Sequence, residues 1–159
     1  MIVCGGIDLG LRKAHVFMLH DSGEQELFHV ELQRMLRRDM EIKEIHRKIK
    51  DALSGVTAPF FVEEPLVAGS RNIRVSLGIA QTAGAVMSGL RGPAYLVPVS
   101  TWKMETVGKG NAKKNEVRSW LFEKKHAYSM ACERTNSPQD YIDAACIALY
   151  GSKVLGLDF

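Results

Sequence analysis

The chain has 159 residues and a formal net charge of +3, and 46% of its residues are hydrophobic and 25% charged. This length and composition suit one globular domain with a hydrophobic core and are too small for two sizeable domains. The apolar runs are too short for a membrane span, no secretory leader is evident, and the three cysteines form no C-x-x-C pair. We therefore expect a protein of the reducing cytoplasm without a disulfide framework or a zinc site.

The first part of the chain predicts three strands. Each is a short run of apolar and β-branched residues bounded by turn-forming or charged residues. The three predicted strands are residues 2–9, 14–21 and 26–33. Ser22-Gly23 forms a tight turn between the second and the third, and such short links favour an antiparallel meander.

The rest of the chain predicts helices that alternate with two further strands. Residues 40–53 carry large aliphatic side chains at helical spacing, with lysine and glutamate on the other face. Strands are predicted over residues 58–65 and 94–99, and further helices over residues 71–90, 115–125 and 138–153. The order βββαβαβα predicts an α/β fold with a mixed five-stranded sheet flanked by helices.

Carboxylates occur where predicted strands end and where the last helix begins. Asp8 lies in "GIDLG" at the end of the first strand, and Glu63 and Glu64 end the fourth strand in "FVEEP". Asp140 and Asp143, in "SPQDYIDAA", share one face of the last helix because they are three residues apart. In an open sheet, strand ends are where functional sites form.

Most of these acids also have a structural interpretation when taken alone. Asp8 could cap a turn, and Glu64 before a proline could be a solvated strand end. The segment "SPQD" fits a capping box with Ser137 as the N-cap and Asp140 three residues on. Asp143 lies between apolar residues and is harder to explain structurally.

Taken together, the acids indicate a site for divalent metal. Buried carboxylates that repel one another need a compensating cation, and no lysine or arginine adjoins Asp8, Glu63 or Asp143 in the sequence. Oxygen ligands select a hard ion such as Mg²⁺ or Mn²⁺. Two such ions about 3.5–4 Å apart can activate a water and stabilise the leaving oxygen in phosphodiester cleavage.

A strand that ends in "GIDLG" also occurs as the first phosphate loop of sugar kinases and Hsp70-type ATPases. Those proteins have two domains and a second glycine-rich phosphate loop. This chain is too short for a second domain, and no second loop of that kind is found. The phosphate-loop interpretation is therefore set aside.

A basic segment follows the fifth predicted strand. Residues 103–125 contain seven basic and three acidic side chains, a local charge of +4. Lys109, Lys113, Lys114 and Arg118 lie in a glycine-containing loop that leads into a helix, where they could neutralise phosphates beside the backbone N–H groups of the helix start. The structural alternative is a solvated loop. The five histidines show no ligand spacing, and we assign them no role.

As an ordered set, five motifs resemble those of the RuvC-type Holliday-junction resolvases, a branch of the RNase H-like nuclease superfamily. The motifs are "GIDLG", "FVEEP", "LGIAQTAGAV", "VSTWKMETVGKGNAKKNEV" and "DYIDAACIALYG". The resemblance covers nearly the whole chain. It implies one RNase H-like nuclease domain over residues 1–159.

The resemblance implies the following site and activity. The metal-binding acids of the family match Asp8, Glu63, Asp140 and Asp143, with Glu64 able to replace Glu63, and its basic residues match Lys103 and Lys114. The implied activity is cleavage of branched DNA at Holliday junctions with two Mg²⁺ ions per site, for which Mn²⁺ could substitute. The products would be a 5′-phosphate and a 3′-hydroxyl.

The same resemblance implies a homodimer, with one site for each strand that is cut. The helix of residues 73–90, rich in small residues, is the candidate contact. The enzyme would act on DNA in the cytoplasm, in the nucleoid or in a phage-infected host. A second hypothesis is another RNase H-like nuclease that acts on forks, flaps or RNA–DNA hybrid, and a third is a branched-DNA-binding protein without catalysis.

The sequence departs from the family pattern at two places. Leu66 stands where many members carry an aromatic residue that wedges into the junction, which puts the mode of DNA opening in doubt. Arg12, Lys13 and His15 replace the small polar residues that often follow the first motif.

Overall fold

The centre of the structure, a computed structural model that describes residues 1–66, 72–157 and 159, is a mixed five-stranded sheet. The strands are β1 (Ile2–Leu9), β2 (Lys13–His20), β3 (Gln25–Glu31), β4 (Phe60–Glu63) and β5 (Ala94–Val97). Their order across the sheet is β3-β2-β1-β4-β5. The first three pair antiparallel, whereas β4 and β5 pair parallel to β1 and to each other, so the predicted mixed sheet is confirmed.

Six helices accompany the sheet in the described part of the chain. They are α1 (Arg38–Ala52), α2 (Ile73–Gly89), α3 (Val99–Val107), α4 (Lys114–Lys124), α5 (His126–Glu133) and α6 (Pro138–Val154). Four of them match the predicted helices, although the predicted start of α2 at residue 71 lies outside the described residues. None of the helices in the described ranges is long and apolar enough to serve as a membrane span.

The sequence analysis missed α3 and α5. Pro98 precedes the first turn of α3, and Gly108 ends the helix with a φ of 84°, a left-handed conformation that favours glycine. Both signals were present in the sequence. The two helices are only nine and eight residues long, and hydrophobic spacing over so few turns gives a weak signal.

The helices cover the two faces of the sheet and bury a separate apolar cluster on each. Ile7, Val16 and Phe60 pack on the face covered by α1 and α2, whereas Phe17 and Phe61 pack on the face covered by α6. Alternation along each strand produces this division, because neighbouring residues point to opposite faces. Residues at alternate positions of β1 therefore face α6, and Asp8 is one of them.

Gly6 permits α6 to lie directly against β1. A Cβ atom at Gly6 would come within 2.1 Å of the carbonyl oxygen of Ala144 and 2.3 Å of the amide nitrogen of Ala148. Both are backbone atoms of α6, which cannot move away without displacing the helix. This close approach brings the N-terminal turns of α6 to the end of β1.

A buried carboxylate fixes the turn between β1 and β2. Glu41 on α1 is 1% exposed and accepts hydrogen bonds from Nε of Arg12 at 2.6 Å, Nη1 of Arg38 at 2.8 Å and the backbone N–H of Met35 at 3.0 Å. The hydroxyl of Thr82 on α2 donates to the carbonyl of Leu11 in the same turn at 2.8 Å. The turn is therefore held from both helices on its face of the sheet.

Candidate metal centre

The sheet register places polar side chains from adjacent strands in one row. Asp8 on β1 pairs directly with His15 on β2, and His15 pairs with His29 on β3. On the other side of β1, Ile7 is in register with Val62, so that Asp8 and Glu63, the next residues of the two strands, lie side by side. The row runs along the sheet face that α6 covers.

The first turns of α6 add two more acids. Asp140 and Asp143 both interact electrostatically with Asp8, and Asp143 also interacts with Glu63. Four acids from three segments that are distant in the sequence therefore share one electrostatic environment at the end of β1. The close packing of α6 against Gly6 brings these acids together at the end of β1.

The environment disfavours ionisation of these acids. Asp8 is 9% exposed, and burial raises its pKa well above the usual range, with further increases from the charges of Glu63, Asp143 and Asp140. Lys13 acts in the opposite direction. An acid with a raised pKa binds its proton more tightly in the folded state, so a cation that replaces the proton relieves the repulsion.

The pKa values of Glu63 and Asp143 are also raised, although hydrogen bonds and nearby lysines oppose the increase more strongly than at Asp8. Burial, and then the charge of Asp143, raise the pKa of Glu63 to about 7, even though Nε1 of Trp102 donates a hydrogen bond to its carboxylate at 3.3 Å. Burial also raises the pKa of Asp143, against a 2.9 Å hydrogen bond from Gln139 and the charges of two lysines. Those lysines are Lys103 and Lys114, which also lower the pKa of Glu63.

Glu63, and not Glu64, lies close enough to Asp8 and Asp143 to interact with their charges. The side chain of Glu64 is exposed, and its backbone N–H donates to the carbonyl of Val97 at 2.8 Å. Successive residues at a strand end point to opposite faces, so the two glutamates cannot both face Asp8. The geometry favours Glu63 as the ligand that the sequence motif predicted.

The capping-box interpretation of Asp140 is wrong. Ser137 is the N-cap of α6, but its side chain makes no capping hydrogen bond. The carboxylate of Asp140 instead accepts a hydrogen bond from Nζ of Lys13 at 2.5 Å. The acid thus faces the sheet and the other carboxylates, not the end of its own helix.

The five basic residues predicted to bind DNA have three kinds of surroundings. Lys103 and Lys114 lie near the acids, and Nζ of Lys103 also donates to the carbonyl of Ala112 at 2.8 Å. Lys109 pairs with Glu116 at 2.7 Å, and Arg118 pairs with Glu133. Lys113 is exposed immediately before α4.

Sequence reasoning missed two neighbours of the acids, Lys13 and His15. Lys13 supplies part of the cationic compensation that the sequence around Asp8 lacks. His15 is 1% exposed, and its Nδ1 lies 3.7 Å from Oδ2 of Asp140, beyond hydrogen-bonding distance. Burial lowers the pKa of His15, against the charge of Asp140. The cross-strand pairing of the β1–β2 hairpin was the available signal for His15.

The donor set fits a divalent ion. Asp8, His15 and Asp140 can each offer one ligand atom such that the three atoms lie within 4.8 Å of one another. Nδ1 of His15 is buried without a hydrogen-bond partner among the described residues, which is costly unless another group satisfies it. Glu63 and Asp143 supply further carboxylate oxygens from the same environment, and oxygen-rich sites suit Mg²⁺ and Mn²⁺.

The fold is similar to that of solved resolvase structures. Thermus thermophilus RuvC superposes with a TM-score of 0.72 and 20% sequence identity, covering 98% of this chain and 97% of that protein. T. thermophilus RuvC in complex with a Holliday junction substrate gives a TM-score of 0.71 and 19% identity over 97% of this chain and 96% of the other. The yeast mitochondrial Holliday junction resolvase Ydc2 gives 0.56 and 11%, covering 92% of this chain and 76% of that one.

The comparisons by sequence are less informative. No model of a known protein family matches the chain, and no curated protein matches it either. At 20% identity, similarity of structure establishes the arrangement of strands and helices but not the chemistry at their ends. The chain thus has the fold of RuvC, and the resemblance to RuvC-type resolvases that its motifs indicated is confirmed at the level of the fold.

Proposed function

We propose that this protein is a divalent-metal-dependent endonuclease that cleaves branched DNA at Holliday junctions. The observation that carries the proposal is the convergence of four acids from β1, β4 and α6, within a RuvC fold, where burial and mutual repulsion raise the pKa values of Asp8, Glu63 and Asp143. A protein that only binds DNA gains nothing from such a cluster, because buried carboxylates repel phosphates. A metal-dependent nuclease requires it.

The acids would hold the metal. Asp8, Glu63, Asp140 and Asp143 are the proposed ligands of two Mg²⁺ ions per site, for which Mn²⁺ could substitute. Ions bound there supply Lewis acidity for hydrolysis of a phosphodiester, with a 5′-phosphate and a 3′-hydroxyl as the products. The carboxylates themselves repel a phosphate, so positive charge beside them is needed to position the reacting group.

Lys103 and Lys114 would orient the scissile phosphate. Both lie close enough to Glu63 and Asp143 to lower the pKa values of these acids. Lys114 is also the first residue of α4, and the N-terminal end of a helix dipole attracts anions. Together they provide positive charge beside the acids, where charge accumulates on the phosphate during cleavage.

The loop before α4 would contact the DNA arms. Lys113 is exposed, and it is the strongest candidate for a phosphate contact in this loop. Lys109 and Arg118 each pair with a glutamate, so part of their charge is already neutralised. We propose that these two contribute less to DNA affinity than their sequence positions predicted.

A symmetric junction needs two cuts, and a homodimer would supply two sites. Helix α2 exposes Ile73 and Leu77, which lie one helical turn apart on the same face, and exposed apolar side chains of this kind commonly mark an interface. The proposed species has a mass of about 35 kDa, twice the 17.7 kDa of one domain spanning residues 1–159. A mass equal to one chain in sedimentation at micromolar concentration contradicts the dimer.

Cleavage assays test the proposal directly. With Mg²⁺, the protein should cut a synthetic four-way junction in preference to a fork, a flap, linear duplex and RNA–DNA hybrid. Asp8→Asn and Asp143→Asn should abolish cleavage and keep or strengthen junction binding, because each removes a negative charge near the phosphate. Normal cutting by both variants excludes the metal centre. Preferential cutting of hybrid assigns the protein to another class of RNase H-like nuclease, acting on DNA or RNA in the same cytoplasmic setting.

A further inference from the structure

Among the described residues, His15 is the histidine whose ring nitrogen can share a metal-sized space with Asp8 and Asp140, and nothing in the family resemblance assigns it a function. It enters the cluster from β2, a strand that carries none of the four acids. Direct antiparallel pairing with Asp8 places both side chains on the same face of the sheet at the same height. The ring therefore adjoins the proposed metal ligands as a consequence of register.

The orientation of the ring is fixed from both sides. It stacks on the ring of His29 with centroids 5.7 Å apart, and the ring of Tyr141 on α6 meets it edge-on at 4.9 Å. A 3.0 Å hydrogen bond between Nδ1 of His29 and the hydroxyl of Tyr141 connects these two neighbours. A ring packed this way cannot rotate freely, so Nδ1 keeps its direction toward Asp140.

The nitrogen has no partner in that direction. Nδ1 of His15 is buried and accepts or donates no hydrogen bond among the described residues, and Oδ2 of Asp140 lies 3.7 Å away. That carboxylate oxygen already accepts a hydrogen bond from Lys13, which leaves Oδ1 of Asp140 for another partner. A buried, oriented and unsatisfied imidazole nitrogen beside two carboxylates is the arrangement of a metal ligand.

We infer that His15 is a ligand of the divalent ion held by Asp8 and Asp140 and that it gives this site a preference for Mn²⁺ over Mg²⁺. The inference rests on the metal centre of the proposed function and adds a residue and a metal selectivity to it. Imidazole nitrogen suits transition-metal ions, whereas Mg²⁺ takes oxygen ligands almost exclusively. One nitrogen among carboxylates therefore raises the affinity for Mn²⁺ more than that for Mg²⁺.

Pulsed electron paramagnetic resonance of the whole protein with one equivalent of Mn²⁺ tests the inference without measuring activity. The wild-type spectrum should show hyperfine coupling to a directly bound nitrogen, and the coupling should change when histidine is labelled with ¹⁵N. His15→Asn should remove the coupling, whereas His29→Asn, the matched histidine on the next strand, should keep it. Because the wild-type spectrum alone is informative, poor folding of a variant does not prevent the test.

Calorimetric titration gives the second measurement. His15→Asn should lower Mn²⁺ affinity about tenfold or more and change Mg²⁺ affinity less than about threefold. Mn²⁺ that binds the wild type without nitrogen coupling, or coupling that persists in His15→Asn, overturns the role of His15 and leaves the acidic site intact. If Asp8→Asn binds Mn²⁺ as tightly as the wild type does, the metal centre of the proposed function fails, and this inference fails with it.

Discussion

Gly6→Ala tests whether the close contact between β1 and α6 assembles the candidate site. The new Cβ would lie 2.1 Å from the carbonyl oxygen of Ala144, whereas an ordinary contact needs at least 3.4 Å, so α6 must move by about 1.3 Å. The obstructing atoms belong to the helix backbone, so no side-chain rotation relieves the clash. Overpacking of this kind costs about 3 kcal/mol.

The same displacement should weaken metal binding. Asp140 and Asp143 move with α6, whereas Asp8 stays on β1, so the acids separate by a distance comparable to the helix shift. Misplacement of about 1 Å in a functional constellation costs up to about 100-fold. We expect at least a tenfold loss of Mg²⁺ affinity in protein that is still folded, measured by calorimetric titration.

Urea unfolding provides the stability measurement, with Gly55→Ala as the matched control. Gly55 has open space around its Cβ position and no positive φ, so alanine there should be neutral or stabilise by up to about 1 kcal/mol. Gly6→Ala should lower the unfolding midpoint clearly. A Gly6→Ala protein with the midpoint and the metal affinity of the wild type would refute the reasoning, because α6 would then not be held against β1 as described.

Three further predictions follow from other contacts. Because the pKa of Glu63 is raised to about 7 in the folded state from an ordinary value of 4.5, its stabilising effect is fully present below pH 4.5 and is lost as pH rises through 7. In EDTA, Glu63 should therefore contribute a fall of about 3 kcal/mol in the free energy of unfolding over that interval, in addition to the falls that Asp8 and Asp143 cause. Glu63→Gln should remove the Glu63 part, and an equal total fall in the variant contradicts this. Glu41→Gln weakens the hydrogen bonds that a buried carboxylate accepts from two partly exposed arginines, and it should cost about 3 kcal/mol in urea unfolding. Glu44→Gln, in an exposed pair on the same helix, should cost under about 1 kcal/mol, and equal costs contradict the network around Glu41. Lys113→Ala should lower the slope of log binding constant against log salt concentration for the junction by about one unit. Lys109→Ala removes a lysine that is already paired and should lower this slope by less. An unchanged slope for Lys113→Ala would show that Lys113 does not contact a phosphate.

Local sequence signals were sufficient for most secondary structure. The spacing of aliphatic residues in α1 and the apolar runs in β1 and β2 predicted these elements close to their observed bounds, because such patterns reflect burial against a sheet or a helix. The short helices α3 and α5 were not predicted, because about two turns of helix contain too few apolar repeats to define a buried face. Longer elements are thus readable from the sequence, and short ones are not.

The acids of the candidate site were predictable because their types and positions are unusual. Asp8, Glu63 and Asp143 each follow or interrupt an apolar segment, and several carboxylates in such positions are harder to explain structurally as a set than one by one. The choice between Glu63 and Glu64 was not predictable, because it depends on which face of β4 meets α6. The role of Asp140 also depended on the tertiary structure, which directs its carboxylate to Lys13 and not to the start of its own helix.

The sequence by itself predicted the α/β class, the number of strands and a set of candidate acids, since these depend on residue types and short-range spacing. Only the tertiary structure decided which charges meet. Lys13 and His15 join the acids through the register of a hairpin, and Lys109 and Arg118 are partly neutralised by glutamates. Charge interactions fall off over a few ångströms, so they depend on distances that only the packed chain defines.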